Sequence, residues 1–158
     1  MANQTEKAKA FLGTHAHTID EKGRLTLPAK WRDQMTDGVM ITRGLDRCLF
    51  VFPKNKFDVV LERLVELPFE IADARNWVRY VAGNADEAEF DKQGRILISQ
   101  NLRNFASLNG EVVVVGALDR IEVWNPEKYA EIDKSVETNA NALAERFGQM
   151  IRQTKSEK

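Results

Sequence analysis

Short stretches of alternating apolar and polar residues, separated by turn-forming residues, characterise the first part of the chain. Residues 15–19 form a β-permissive run, and Leu25-Thr26-Leu27 alternates apolar with polar side chains. Between these stretches, Asp20 can accept hydrogen bonds from the following backbone N–H groups, and Gly23 can adopt the positive φ of a tight reversal. A period of two is typical of strands, so the pattern predicts a hairpin within residues 12–27.

A short helix and a second strand pair are predicted after this hairpin. Pro28 suits the first turn of a helix, where its missing N–H is not needed, and residues 29–35 can continue the helix until residues 36–38 end it. Residues 39–43 and 48–52 are then predicted to form two further strands. The resulting unit has the order ββ, short helix, ββ.

The chain contains this unit twice. The repeat is carried by residue pairs at an offset of 71 and, after one inserted residue, of 72: Asp20 and Asp91, Gly23 and Gly94, Arg24 and Arg95, Arg32 and Arg103, Gly38 and Gly110, and Gly44 and Gly116. A unit of about 45 residues is small for a stable core, and its strand pairs leave open edges. We therefore expect the hairpins of both repeats to interdigitate into one barrel-like body with pseudo-two-fold symmetry.

Helical periodicity appears between and after the repeats. Apolar residues in 55–67 and 71–81 recur at helical spacing, and Pro68 separates the two predicted linking helices. After Asn125, a predicted N-cap, one or two helices are expected to run to about residue 153. Residues 1–10 are expected to form a flexible arm or a helical stub, and residues 154–158 are expected to fray.

The composition is that of an ordinary soluble globular protein, with 158 residues, 43% hydrophobic and 30% charged. No run approaches the ~20 apolar residues of a membrane span, and the N-terminus lacks the apolar core of a signal peptide. We therefore expect a cytoplasmic protein without a membrane partner. The single cysteine, Cys48, precludes a disulfide within one chain and is expected to be buried in a strand.

Charge is distributed unequally between the two copies of the turn. The net charge of −1 argues against a protein that coats nucleic acid nonspecifically. Residues 13–32 hold four cations and two acids, whereas residues 82–103 hold three cations and four acids. A rigid two-stranded ribbon with cations at its tip can enter a major groove about 12 Å wide. If the unit binds polyanions, the first copy is therefore the better equipped.

The cations of the turns are the candidate DNA-binding residues. Arg24 can contact a base edge, since arginine to guanine is the commonest specific contact, or can only pair with Asp20 to lock the hairpin. Lys22 is a candidate phosphate contact and Lys30 a weaker one, although surface lysines are usually just solvated. Arg95 is a further candidate that can serve mainly to hold its own turn.

His15 and His17 share one face of their predicted strand, a spacing that could ligate a metal. The sequence offers no further histidine and no nearby cysteine to complete such a site, so an Asp or Glu or a second subunit would have to do so. Neither a metal nor another cofactor is therefore expected. Polar contacts of the two histidines to the DNA backbone or to a neighbouring subunit are favoured instead. The three tryptophans are expected to be core or interface aromatics.

A set of motifs extends over nearly the whole chain: Phe11-Leu12-Gly13, residues 17–25, residues 27–30, Arg32, and the second Asp-x-x-x-Arg at Asp91 and Arg95. These motifs resemble those of the MraZ family, bacterial transcriptional regulators of the division and cell-wall gene cluster. Two features depart from the family: ten residues precede Phe11, and Ser99-Gln100-Asn101 replaces Pro28-Ala29-Lys30 in the second copy.

The resemblance implies an α+β fold of two ββ-helix-ββ swapped-hairpin units, related to the AbrB and MazE regulators, that form a double-hairpin barrel with flanking helices. The expected segments are an extension (1–10), a first repeat (11–57), linking helices (58–81), a second repeat (82–129) and a C-terminal helical segment (130–158). The resemblance also implies a ring of several subunits and sequence-specific binding of double-stranded DNA at short direct repeats in the promoter of the protein's own operon.

Two other classes of function stay open at this point. A hydrolase could use His15, His17 and Asp20, although no P-loop, Gly-x-Ser-x-Gly or metalloprotease motif is present and the turn already accounts for Asp20. A partner-binding protein, such as an antitoxin-like module or an assembly scaffold, is the third class. The amount of apolar helical surface, including Phe57, Leu61 and the C-terminal helix, predicts an assembly larger than a dimer.

Overall fold

The computed structural model describes residues 10–156. Most of the extension predicted to be a flexible arm or helical stub, residues 1–9, and the last two residues lie outside the described part. The chain divides into two compact units, Met1–Asn125 and Pro126–Lys158. The first unit carries the repeats, and the second is described below by itself.

One antiparallel sheet of eight strands forms the first unit, with the order β5-β3-β4-β8-β7-β1-β2-β6. Its two end strands, β5 and β6, are consecutive in the chain, and the N–H of Asp91 donates to the carbonyl of Arg95 at 2.9 Å in the turn that joins them. The sheet therefore nearly closes into a barrel. The strands are β1 (Thr14–Ile19), β2 (Arg24–Thr26), β3 (Val39–Arg43), β4 (Leu49–Pro53), β5 (Asp86–Ala88), β6 (Arg95–Leu97), β7 (Gly110–Gly116) and β8 (Ile121–Trp124).

Helices occupy the predicted positions in the chain, although not always with the predicted lengths. They are α1 (Ala29–Arg32), α2 (Lys54–Val65), α3 (Ala72–Val81), a 3-10 turn (Ala82–Asn84), α4 (Gln100–Ala106) and α5 (Pro126–Ser156). The two linking helices predicted from periodicity are confirmed as α2 and α3. Between them, Pro68 lies in the connection, as its lack of an N–H requires.

The two repeats exchange their strands. β1 pairs with β7, β2 with β6, β3 with β5 and β4 with β8, so each of these ladders joins the two repeats. The pairing is symmetric as well. Leu25 lies opposite Ile96, its equivalent in the second repeat. Since β5 is the equivalent of β1 and β7 the equivalent of β3, the pairing of β1 with β7 corresponds to the pairing of β5 with β3. The predicted interdigitated barrel with pseudo-two-fold symmetry is confirmed.

Alternation along the short strands places one apolar row inside the barrel. Leu25 and Leu27 are buried while Thr26 is exposed, and in the second repeat Ile96 and Ile98 are buried while Leu97 is exposed. Side chains from the two repeats thus form one continuous core, which neither repeat could build alone. The core fixes the positions of both turns, because Ile19 and Leu25, on either side of the first turn, and Ile96, directly after the second, are buried in it.

A second, smaller core lies where the linking helices cover β3 and β4. Phe52, Phe57, Leu64 and Val81 form its buried part. The Thr42 hydroxyl donates to the carbonyl of Val81 at 2.7 Å and fixes the end of α3 against β3. Away from this core the two helices and the connection between them expose several large apolar side chains, namely Val59, Leu61, Val65, Phe69, Ile71 and Trp77.

Two helices differ in length from their predictions. The helix predicted over residues 28–35 ends at Arg32, because the N–H groups of Gln34 and Met35 bond to carbonyls three residues back, and Gly38 then turns the chain with a φ of +94°. After Asn125 a single continuous helix, α5, runs through to Ser156, so the fraying predicted from residue 154 is not seen at 154–156.

Candidate nucleic-acid interface

The carboxylate of Asp20 organises the first turn. Its Oδ1 accepts hydrogen bonds from the N–H groups of Lys22 at 3.0 Å and Arg24 at 2.9 Å, and its Oδ2 accepts one from Arg24 Nε at 2.6 Å. Gly23 adopts a φ of +86°, and its N–H donates to the Asp20 carbonyl at 3.0 Å. One side chain therefore fixes both the backbone of the turn and the direction of the Arg24 guanidinium.

The second turn reproduces this geometry. Asp91 Oδ1 accepts the N–H groups of Gln93 and Arg95, both at 2.9 Å, and Asp91 Oδ2 accepts Arg95 Nε at 2.7 Å. Gly94, with a φ of +74°, takes the place of Gly23. The two turns differ at their tips instead: at the position of Lys22 in the first turn, the second turn carries Gln93.

Pairing of β2 with β6 brings the two turns close together. Arg24 lies opposite Leu97 and Thr26 opposite Arg95, so the arginines start two antiparallel strands of only three residues each. Arg95 Nη1 lies 4.0 Å from Asp20 Oδ2, in addition to the bond between Arg95 and Asp91. Arg95 thus interacts with the carboxylates of both turns, whereas Arg24 pairs with Asp20.

Each turn is also covered by an arginine of the other repeat. A Cβ built on Gly23 would lie 2.7 Å from Arg103 Nε and from the Ile98 carbonyl, and a Cβ built on Gly94 would overlap the Arg32 guanidinium. Two independent reasons therefore require glycine at each position: the positive φ and the close approach of the arginine. The sequence revealed Arg32 and Arg103 as a repeated pair, but only the strand exchange determines which turn each one covers.

Lys22 and Lys30 are exposed, whereas the side chains of Arg24 and Arg95 are one-third and one-quarter exposed. Within the part of the chain that the structure describes, Arg24 makes no hydrogen bond through Nη1 or Nη2. Its guanidinium is therefore oriented through Nε by Asp20 and has its terminal donors available for an external acceptor.

Hydrogen bonding lowers the pKa of both turn carboxylates. The N–H of Arg24 lowers the pKa of Asp20, and the N–H of Arg95 likewise lowers the pKa of Asp91, with further lowering by the guanidinium groups. Each carboxylate therefore stays charged to a lower pH than an ordinary aspartate, and continues to hold its arginine there.

The histidines share the face of β1 that also carries the buried Ile19. The rings of His15 and Trp31 meet edge to face at 5.1 Å, and His15 Nε2 is buried without a hydrogen bond among the described residues. Burial, followed by the nearby His15, lowers the pKa of His17. The two histidine rings lie 6.4 Å apart, and within residues 10–156 neither side chain bonds to Asp20.

The metal and hydrolase alternatives both depend on side chains that the fold would have to bring together. Among them, no group of three or more His, Cys, Asp or Glu side chains is placed to hold a metal ion. The oxygens of Asp20 are occupied by the turn, so the carboxylate is not positioned to orient a histidine base. No helix in residues 10–156 is long and apolar enough to span a membrane.

A barrel built by strand exchange between two repeats, with two adjacent Asp-x-x-x-Arg turns, defines a double swapped-hairpin protein. The family model described as "MraZ protein, putative antitoxin-like" matches the chain twice, over residues 10–80 and 81–150. The chain belongs to the MraZ family.

Relatives are similar over nearly their full length. The transcriptional regulator MraZ of Moorella thermoacetica is 45% identical over 87% of this chain and 96% of its own length. The protein of the same name from Desulforamulus reducens is 43% identical over 89% of this chain and 99% of its own length. The transcriptional regulator MraZ of Clostridium acetobutylicum is 39% identical over 89% of this chain and 98% of its own length.

Proposed function

We propose that this protein is a sequence-specific DNA-binding transcriptional regulator without catalytic activity. The observation that carries the proposal is Arg24, whose guanidinium is oriented by Asp20 through Nε while its terminal nitrogens remain available at a rigid turn. Arginine held in this way suits the paired acceptors O6 and N7 of guanine. The names of the relatives, transcriptional regulators MraZ, support the same proposal.

In the proposed complex, the first turn enters the major groove. Arg24 contacts a guanine edge, Lys22 contacts a phosphate, and Lys30 makes a weaker phosphate contact. Arg95 contributes mainly by holding the second turn, because its guanidinium is shared between Asp91 and Asp20.

We assign His15 and His17 to polar contacts with the DNA backbone or with a neighbouring subunit. Both rings are half-buried, and the ring of His15 packs against Trp31, so only the exposed edges of the rings can make such contacts. A lowered pKa keeps His17 neutral near pH 7, so we assign it a hydrogen-bonding role and not a charged one.

The proposed target is a set of short direct repeats in the promoter of the protein's own operon, within a division and cell-wall gene cluster. This target is what the resemblance to the family implies. The test is a mobility shift with the DNA upstream of the protein's own gene, competed by unrelated DNA of equal length. Binding that unrelated DNA competes away equally well would refute specific recognition.

We further propose a closed ring of several subunits. The support is the apolar surface on α2 and α3 and, separately, the apolar row of α5, formed by Val136, Leu143, Phe147, Met150 and Ile151. Such surface is more than an isolated small protein usually exposes. Light scattering should give one fixed mass larger than a dimer; a monomer at micromolar concentration, or a distribution of growing polymers, would refute the ring.

The remaining parts of the proposal concern organisation and place. We assign residues 11–57 and 82–129 to the two swapped-hairpin repeats, residues 58–81 to the linking helices and residues 130–158 to the C-terminal segment. A regulator of this kind acts in the cytoplasm, associated with the nucleoid. Fractionation that places the protein with membranes would contradict this assignment.

A further inference from the structure

Arg32 brings a cation from the first repeat onto the turn of the second. It is the last residue of α1, and its guanidinium lies so close to Gly94 that a methyl group there would overlap it. Arg103, its equivalent, covers Gly23 in the same way. Arg32 therefore belongs, in space, to the second turn.

The two covering arginines differ in their hydrogen bonds. Arg103 Nε donates to the carbonyl of Ile98 at 3.0 Å, which anchors that guanidinium to the backbone. Arg32 Nε is buried and makes no hydrogen bond within residues 10–156, and no carboxylate of that part of the chain forms an ion pair with Arg32. A guanidinium has five donors and no acceptor, so a half-buried one without a partner is unfavourable until an oxyanion binds.

The position of Arg32 also determines which cations surround the second turn. That turn carries Lys92 and Arg95 against Asp91, and it lacks a cation where the first turn has Lys22. With Arg32 added, three cations face one acid. Counting charge along the sequence assigns Arg32 to the first copy and Arg103 to the second, whereas in space the two arginines trade places. The number of cations at each turn stays the same, but the arginine without a hydrogen bond among the described residues lies at the second turn.

We propose that Arg32 is a phosphate-binding residue that acts at the second turn, so that both turns contact the same DNA. This inference rests on the proposed function and assigns the second turn a backbone contact, while base recognition stays with Arg24. The adjacency of the turns fits it, since Arg95 of the second turn lies 4.0 Å from Asp20 of the first. Two oxygens of one phosphate group can accept hydrogen bonds from a guanidinium bidentately, whereas no described residue accepts a hydrogen bond from Arg32 Nε.

The test compares Arg32→Gln with Arg63→Gln over a salt series on the target DNA. Glutamine removes the charge but keeps much of the stem, and Arg63 is an exposed residue of α2 that controls for the change in net charge. Arg32→Gln should reduce the slope of log affinity against log salt by about 0.9 for each engaged turn, equally for specific and unrelated DNA. Between 50 and 200 mM salt, wild type should then lose about threefold more affinity than the variant per engaged turn.

An unchanged slope in folded Arg32→Gln, with or without a lower Tm, would overturn the proposal and leave Arg32 as a packing residue. If the glutamine variant does not fold, Arg32→Lys replaces it in a scan of DNA with single neutral methylphosphonates. Wild type and Arg32→Lys should then differ at one phosphate position, and identical patterns would overturn the inference. Failure of the proposed function is distinguishable, because wild type itself would then show no preference for the target DNA.

Discussion

Replacing Arg24 with alanine tests the central contact of the proposed interface. The substitution removes the guanidinium that Asp20 orients at 2.6 Å, but Asp20 Oδ1 keeps its two backbone hydrogen bonds. The turn should therefore retain its shape. The lost ion pair is one-third exposed on both sides, so solvent screens it and its loss should lower the free energy of unfolding only slightly.

The expected loss of binding is larger than this loss of stability. A bidentate contact between arginine and guanine contributes about 1–3 kcal/mol of discrimination, which corresponds to a roughly 5- to 150-fold weaker affinity for each engaged subunit. The loss should fall on the target sequence and scarcely affect unrelated DNA, because a base contact carries sequence information. Preference at one base position should relax accordingly.

Fluorescence anisotropy titrations with target and unrelated duplexes measure both affinities, and light scattering confirms that the assembly is unchanged. Arg63→Ala, on the exposed side of α2, controls for the loss of one positive charge. An equal fractional loss of affinity for both duplexes would identify Arg24 as a phosphate contact. No loss at all would refute its role in the interface, and a fall in Tm of many degrees would show that the turn depends on Arg24.

Three further outcomes are expected. Lys22→Ala should weaken all DNA sequences alike and lower the slope of log affinity against log salt by about one per engaged subunit; a loss confined to the target sequence would contradict a phosphate contact. Arg95→Ala should scarcely change DNA affinity but should lower Tm by about 4 °C at most, because the ion pairs of Arg95 with Asp20 and Asp91 are partly exposed. A loss of affinity equal to that of Arg24→Ala would mean that both turns read bases. The pKa values of Asp20 and Asp91 are lowered in the folded state, so the contribution of these carboxylates to stability should be present above about pH 4 and lost as pH falls further. Thermal melts over a pH series measure this loss, and Asp20→Asn should remove part of the acid sensitivity.

The sequence predicted the barrel because the repeat and the strand pattern point to the same solution. Each repeat is too small to bury its apolar row, and the offset from Asp20 to Asp91 identifies equivalent strands. Pairing the copies follows from these two facts, and the register of Leu25 opposite Ile96 agrees with them. Helix ends were predicted less well, since the end of α1 depends on bonds between carbonyls and N–H groups three residues apart, which leave no distinct residue pattern.

The candidate site was only partly predictable, for a different physical reason. Asp20, Gly23 and Arg24 form a local unit, so their spacing alone predicts hydrogen bonds that stay within five residues. Arg32 and Arg103 act across the repeats, and no local rule specifies which backbone they cover. The residues missed are those whose positions depend on strand exchange.

Strand exchange has a consequence for the synthesis of the protein. Thr14 of β1 pairs with Val115 of β7, so β1 leaves the ribosome about 100 residues before its partner, several seconds ahead at usual rates of elongation. Until then the nascent chain carries unpaired strand edges that chaperones or proteases can engage. Pairing over such long separations also predicts slow folding for a protein of this size. A frameshift or stop codon after α3 would leave all four strands of the first repeat without their partners from the second repeat. We expect the cell to degrade such a fragment instead of accumulating a half-active regulator.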